Sequence, residues 1–210
     1  MTETKTVPRA ERKEARPMEI IRAALTEFAA KGFSSTRLDD VADRAAISKG
    51  TIYLYFDNKE ELFKATVRQV LGIHVKDARA LATNFEGSSG ELLRVVIVKI
   101  ASQLENPEIR SIPPLLIGEG KRFPDLVEFY YEEIVFPAIN TLRGVIRRGV
   151  ERGEFRPGLA EEYPLILVGP ILMTGIWNHL FSHYETIDMR TLIDAHLNTV
   201  IYGLKTGRKK

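Results

Sequence analysis

The spacing of apolar residues constrains the fold of this chain more than any other feature of its sequence. No stretch shows the apolar and polar alternation that a half-buried strand requires, whereas apolar residues recur three and four positions apart almost throughout. Ile21, Leu25 and Phe28 form one such stripe, which Gly32 is expected to end. The pattern predicts an all-α protein of about nine helices.

The composition excludes several classes of site. Of the 210 residues, 44% are hydrophobic, which is enough to bury a sizeable core, but none is cysteine. Disulfides, cysteine zinc sites and thiol nucleophiles are therefore excluded, and this suits a cytoplasmic protein. The net charge is only +2. A nucleic-acid partner must therefore be argued from the placement of basic residues and not from their excess.

Signals for helix starts divide the chain into two regions. Pro17 favours the first turn of a helix, Thr36 with Asp39 predicts a capping box, and Ser48 predicts a further start. After a Gly/Ser linker at 87–89, the helices become longer and more apolar. We predict a flexible basic arm at 1–16, a domain of three short helices at 17–62, a larger helical domain at 63–205 and a basic tail at 206–210.

Residues 38–56 have the pattern of a helix-turn-helix. Their sequence, LDDVADRAAISKGTIYLYF, directs Val41, Ala42 and Ile52 towards a shared core around a tight turn. The second helix exposes small residues and hydrogen-bond donors that suit the major groove of DNA, namely Lys49, Gly50, Thr51, Tyr53 and Tyr55. The same apolar positions also fit an ordinary helical hairpin.

Residues 18–64 resemble the N-terminal domain of TetR-family regulators throughout. The likeness includes FAAKGF at 28–33 and SKGTIYLYF at 48–56. It implies a dimeric, DNA-binding transcriptional regulator with a C-terminal ligand-binding and dimerisation domain, in which a ligand releases the repressor from a palindromic operator. The family usually has glycine where this chain has Ala46, and a left-handed backbone there would cost alanine about 1 kcal/mol.

The resemblance also implies which residues contact double-stranded operator DNA. Residues that open the second helix would reach phosphates, the start of the recognition helix would approach base edges, and tyrosine and lysine side chains would hold the backbone. The predicted contacts are Thr36, Arg37, Ser48, Lys49, Gly50, Thr51, Tyr53, Tyr55 and Lys59.

A long uncharged segment at 163–184 is assigned to the dimer. It is long enough to span a bilayer, but Pro164, Pro170 and several polar residues interrupt it, so we expect a soluble helix and no membrane partner. In the family, the last two helices form a four-helix bundle with the partner subunit. The predicted homodimer interface consists of Leu172, Ile176, Leu180, Leu192, Ala195 and Thr199.

A pocket for a mostly apolar effector is predicted in the larger domain, although the same residues also fit a solid core. Its predicted walls are Val96, Ile100, Leu116, Phe129, Tyr130, Met173 and Trp177. The helices that carry them are expected to bend at Pro113, Pro114, Pro137 and Pro170. Effector binding would swing the helix at 59–84 and change the separation of the two recognition helices.

No sequence motif indicates catalysis, a cofactor or a metal. His179 and His183 lie four residues apart, but no third ligand is evident. The stretch at 118–121 lacks the residues of a phosphate-binding loop. We therefore do not expect an enzyme. The alternative is a helical enzyme or binding module whose N-terminal hairpin only resembles a DNA reader.

Overall fold

The computed structural model of the protein describes residues 9–206 and divides the chain into two compact units, with the boundary between Gln69 and Val70. The helices of the first unit are α1 (Arg9–Ser35), α2 (Leu38–Arg44), α3 (Lys49–Tyr53) and α4 (Lys59–Val67). A π-helical segment at Arg68–Gly72 follows and contains the boundary. The boundary predicted after residue 62 lies instead within α4.

The second unit is also helical. It contains α5 (Ile73–Asn84), α6 (Ser89–Gln103), α7 (Pro107–Arg110), α8 (Ile112–Glu119), α9 (Pro124–Tyr130), a π-helical segment (Tyr131–Val135), α10 (Phe136–Glu151), α11 (Leu159–Glu162), α12 (Leu165–Phe181) and α13 (Met189–Leu204). The prediction of an all-α protein is confirmed. Within the described residues, turns and π-helical segments divide several of the longer predicted helices into shorter ones.

The first helix begins earlier than predicted. It starts at Arg9, and Pro17 lies inside it rather than at its first turn. Residues 9–16 consist mostly of strong helix formers, which favour a helix on the N-terminal side of Pro17. The predicted flexible arm therefore overlaps α1 from Arg9 onwards, and its residues 1–8 lie outside the described residues, as does most of the predicted tail.

The first unit is built around an aromatic cluster. The rings of Phe28, Phe33 and Phe63 contact one another with centroid separations of 5.2 to 5.8 Å. Gly32, at φ 78°, breaks α1 and turns the chain so that Phe33 enters this cluster. The cluster joins the end of α1 to α4, and Ile52 of α3 is completely buried in the same unit.

The core of the second unit lies between α6, α10, α12 and α13. Its fully buried side chains include Leu92, Val96, Ile97, Leu142, Ile146, Leu167, Ile171 and Leu197. Arg148 of α10 donates from Nη2 to the carbonyl oxygens of Phe85 (2.9 Å) and Gly87 (2.8 Å), which ties the linker before α6 to this core. None of the described helices combines the length and hydropathy needed to cross a bilayer.

Three of the prolines lie where predicted helices are divided. Pro113 and Pro114 lie in the first turn of α8, directly after the break at Ser111, and Pro137 lies in the first turn of α10, directly after the second π-helical segment. A first-turn proline needs no amide partner, so it fits a position where a helix starts again. Of the prolines after Pro17 in the described chain, Pro170 lies inside a helix, α12.

Candidate DNA-binding surface and effector cavity

The predicted helix-turn-helix is present in α2 and α3. Val41, Ala42 and Ile52 are buried, as the pattern predicted, and Ile47 is half-buried. The Ile47 amide donates to the carbonyl of Ala42 (3.0 Å), which closes the turn between the helices. Ser48 caps α3, since its hydroxyl accepts from the Thr51 amide at 3.2 Å. The side chains that α3 exposes distinguish a DNA-binding helix-turn-helix from an ordinary helical hairpin.

One face of α3 is exposed and does not pack against the rest of the unit. Ser48, Lys49, Gly50 and Tyr53 are exposed, and Thr51 and Tyr55 are half-buried. A Cβ atom added at Gly50 would meet only the Ser48 hydroxyl, at 3.8 Å, so packing within the chain does not require glycine there. A glycine at such a position suits the close approach of a partner's surface. Lys49 pairs with Asp39 at 2.9 Å, but both groups are exposed and such pairs exchange at little cost.

The predicted role of Lys59 as a phosphate contact is not supported by its surroundings. Its ammonium group donates to the carbonyl oxygens of Phe33 (2.7 Å), Ser34 (3.1 Å) and Thr36 (2.9 Å). It also lies 4.6 Å from the centroid of the Phe33 ring. Because an ammonium group has three N–H donors, these carbonyls use all of them. Lys59 therefore holds the end of α1 and the turn before α2.

Thr36 is also part of the internal structure. Only 1% of the residue is exposed, and its hydroxyl lies 2.7 Å from the carbonyl oxygen of Gly32 and 3.2 Å from that of Glu27. The N-cap of α2 is Arg37, whose amide donates to the Asp40 carboxylate at 3.1 Å. The capping box predicted from Thr36 and Asp39 is therefore displaced by one residue. The exposed Arg37 remains available to a phosphate.

A buried carboxylate, which sequence reasoning missed, joins α1 to α2. Glu27 is 4% exposed and pairs with Lys31 at 2.8 Å and with Arg44 at 2.6 Å. Hydrogen bonds from these two cations hold the pKa of Glu27 below its ordinary value. Its contribution to stability is therefore present above the unfolded-state pKa and is lost as the pH falls through the folded-state pKa. The Glu27 and Lys31 spacing is a local signal, but nothing local indicates Arg44.

The backbone at Ala46 is left-handed, with φ 52°. It is the only non-glycine residue with a positive φ in the part of the chain that the structure describes. We expect Ala46→Gly to raise the free energy of unfolding by about 0.5 to 1 kcal/mol, because glycine removes this strain but increases the entropy of the unfolded chain. Urea denaturation followed by circular dichroism measures the difference.

Ala45 provides the matched control for this substitution. It is the neighbouring alanine and has a right-handed backbone at φ −81°. Ala45→Gly should lower the free energy of unfolding by about 0.5 to 1 kcal/mol, since glycine there gains no relief from strain. Changes of the same sign in both variants would show that the left-handed turn stores no strain.

The second unit contains a cavity of about 150 Å³. Three of the predicted wall residues, Val96, Ile100 and Tyr130, line it. Sequence reasoning missed the wall formed by the π-helical segment Arg68–Gly72 and α5, which comprises Leu71, His74, Val75 and Ala78. Their spacing of three and four residues was the signal that could have revealed this face.

The other four predicted wall residues lie elsewhere. Leu116 and Phe129 are buried without lining the cavity, and Met173 is 59% exposed. Trp177 contacts Phe181, with ring centroids 4.9 Å apart and ring planes tilted by 54°. The face of α12 that lines the cavity carries Leu165, Val168 and Leu172. Because each helical residue is rotated by about 100° from the previous one, Met173 points away when Leu172 points inward.

The residues predicted for the dimer interface have two different environments. Leu172, Ile176 and Leu192 are half-buried within their own unit, and Leu172 and Leu192 pack against its core. Leu180, Ala195 and Thr199 are exposed. Exposed apolar residues recur along α12, and α13 contributes two further exposed residues. This set is called the α12–α13 apolar face below and consists of Ile166, Met173, Leu180, Ala195 and Tyr202.

The first unit contains a capped helix-turn-helix whose second helix is exposed, and the other unit is also helical. These features are typical of helix-turn-helix DNA-binding regulators. Comparisons with known proteins agree. Residues 20–66 match the family described as "Bacterial regulatory proteins, tetR family", and residues 86–200 match "Tetracyclin repressor-like, C-terminal domain". The chain belongs to the TetR family of transcriptional regulators.

Individual relatives point the same way. The fatty acid metabolism regulator protein of Bacillus subtilis is 32% identical over 153 residues, which cover 70% of this chain and 75% of the relative. The regulator RutR of Escherichia coli is 36% identical over 112 residues, which cover 50% of this chain and 53% of RutR.

Solved structures share the fold. FadR from Bacillus subtilis, in complex with stearoyl-CoA, has a TM-score of 0.71 and 22% identity and covers 89% of this chain and 98% of its own. A complex of SmeT with triclosan has a TM-score of 0.78 and 18% identity and covers 92% of this chain and 93% of its own. At these identities, the likeness shows the fold alone.

Proposed function

We propose that this regulator represses transcription as a homodimer on a palindromic operator and that a small molecule in the cavity lowers its affinity for that operator. The single observation that carries the DNA-binding assignment is the exposed surface of α3, where Gly50 has no packing role within the chain. Two such helices, about 34 Å apart, would enter successive major grooves. The match of this chain to the TetR family and its likeness to a regulator of fatty acid metabolism also support DNA binding.

The structure changes the set of residues proposed to contact DNA. We propose that Thr36 and Lys59 stabilise the fold and do not contact DNA, because their side chains donate hydrogen bonds to backbone carbonyl oxygens. Lys49, Gly50 and Thr51 are proposed to approach base edges, where a lysine can pair with guanine and a glycine allows close approach. Phosphate contacts are proposed for Arg37, Ser48, Tyr53 and Tyr55.

Replacing Lys49 and Tyr53 with alanine tests this assignment. Each lost contact should cost about 1 to 3 kcal/mol of binding free energy, so each variant should bind about five to one hundred and fifty times more weakly to a duplex selected from a random pool. Lys49→Ala should also relax sequence preference, because the lost contact is to a base edge. Fluorescence anisotropy with labelled duplexes measures both effects.

Lys121→Ala is the control, because Lys121 is an exposed lysine in the other unit. Its removal should leave operator affinity unchanged within about twofold, as expected for a residue outside the contacts. If the double variant of Lys49 and Tyr53 keeps a wild-type circular dichroism spectrum and binds its duplex undiminished, α3 is not the recognition helix.

The proposed route from the effector to DNA passes through the π-helical segment Arg68–Gly72. Leu71 belongs both to this segment and to the cavity wall, and the segment carries the boundary between the units. The second π-helical segment also contributes to the wall, through Ile134 and Val135. Because π-helical turns are rare and concentrate at functional sites, we propose that an effector against Leu71 changes the conformation of this segment and weakens operator binding.

The relatives' ligands fit a mostly apolar effector. FadR binds stearoyl-CoA and SmeT binds triclosan in the structures described above. Triclosan and the stearoyl chain are apolar, as is the cavity lining of this chain, whereas the coenzyme A part of stearoyl-CoA carries phosphate groups. These ligands are therefore reasonable first probes for this regulator.

A further inference from the structure

The polar groups that line the cavity differ in how far the protein itself satisfies them. The Lys99 ammonium group pairs with Asp77 at 3.1 Å. The Thr141 hydroxyl donates to the carbonyl of Pro137 at 2.9 Å. The amide nitrogen of Gln103 lies 3.4 Å from the carbonyl oxygen of Lys99 and 3.3 Å from the Ser102 hydroxyl. The donor groups of these three lining residues are therefore directed to neighbours in the same unit.

Tyr130 is different. Its hydroxyl has no hydrogen-bond partner among the described residues, although the side chain lines the cavity. Burial raises the pKa of Tyr130 to about 12. The phenol is therefore protonated at neutral pH and retains a donor. Tyr130 is half-buried, and its hydroxyl can therefore donate to a molecule held in the cavity.

The size and charge of the cavity limit what can supply that partner. A cavity of about 150 Å³ matches the size of an engineered apolar cavity known to bind benzene. Lys99 is the only lysine or arginine among the described residues that line it, and that residue is already paired. An anionic group placed in this lining would lose its hydration without gaining an unpaired lysine or arginine.

We infer that the effector is a compact, uncharged ring compound with one hydrogen-bonding oxygen, and that the Tyr130 hydroxyl donates to this oxygen. This inference rests on the proposed role of the cavity as the effector site. It makes Tyr130 the residue that determines specificity for the polar end of the ligand, while Val96, Ile100 and Val168 contact its apolar ring. His74, which also has no described hydrogen-bond partner, lines the same cavity.

A pair of probes that differ in one oxygen tests the inference. Isothermal titration calorimetry with the full chain should show that 4-methylphenol binds about ten times more tightly than toluene, which has the same ring and methyl group. In Tyr130→Phe, this advantage should disappear, while toluene binding changes by less than about twofold. Tyr131→Phe is the matched control, since the neighbouring Tyr131 does not line the cavity. It should bind 4-methylphenol as the wild type does.

Three results would overturn the inference: 4-methylphenol fails to bind, it binds no better than toluene, or Tyr130→Phe retains the preference. Operator affinity provides a separate measurement for the proposed function. If stearoyl-CoA releases the operator while 4-methylphenol does not bind, the ligand class is wrong and the proposed function stands. If 4-methylphenol binds through Tyr130 but operator DNA does not weaken that binding, the ligand class is supported and the proposed regulation is wrong, because linkage requires reciprocity.

Discussion

Lys59→Met should lower the free energy of unfolding by about 2 to 4 kcal/mol, because it removes charge-assisted hydrogen bonds and a cation–π contact at once. The substitution keeps a long apolar chain but leaves the carbonyl groups of Phe33, Ser34 and Thr36 without the donor they share. These carbonyls lie where α1 ends and α2 begins. Urea denaturation of the full chain, followed by circular dichroism, should show an unfolding midpoint at a lower urea concentration than in the wild type.

Lys64→Met is the control within the same helix. Lys64 pairs with Glu61 at 3.1 Å across one helical turn, and the Glu61 side chain is 43% exposed. Such pairs contribute about 0.5 kcal/mol or less, so this variant should unfold close to the wild type. The competing role for Lys59 is a phosphate contact. A Lys59→Met variant with unchanged stability but uniformly weaker binding to every duplex would restore that role.

A double substitution of Met173→Asp and Leu180→Asp is expected to convert the proposed homodimer to monomers. Both residues lie on the α12–α13 apolar face, where Met173 is 59% and Leu180 is 55% exposed in the single chain. In a symmetric interface each new carboxylate occurs twice, and burying unpaired charges costs several kcal/mol. Because the side chains are exposed in the isolated chain, the subunit itself should stay folded. Light scattering and circular dichroism measure the two properties.

Ile117→Asp is the matched control for the dimer experiment. Ile117 lies on α8, is 71% exposed and is equally apolar, but it is not part of the α12–α13 apolar face. Its replacement should leave the molar mass unchanged. Ile176 and Leu192 are poorer test positions than the sequence suggested, because both are half-buried in their own unit and a carboxylate there would also destabilise the subunit. An unchanged dimer in the Met173 and Leu180 variant would place the interface elsewhere.

The sequence by itself determined the features that depend on neighbours within one or two helical turns. The cap at Ser48 forms as predicted, because a cap needs only a side chain and an amide three residues away. The buried positions Val41 and Ala42 follow from helical periodicity. The left-handed turn at Ala46 was indicated by the glycine that the family usually places there.

Only the tertiary structure decided the features that depend on residues far apart in the chain. The lysine at position 59 looks like a phosphate contact until folding brings its ammonium group to carbonyls 23 to 26 residues earlier. Apolar spacing places Leu172 and Met173 equally well on a buried helix, yet packing turns Leu172 to the cavity and leaves Met173 exposed. Periodicity gives the width of an apolar face, but the direction of that face is set by the helices packed against it, and no local pattern contains that information.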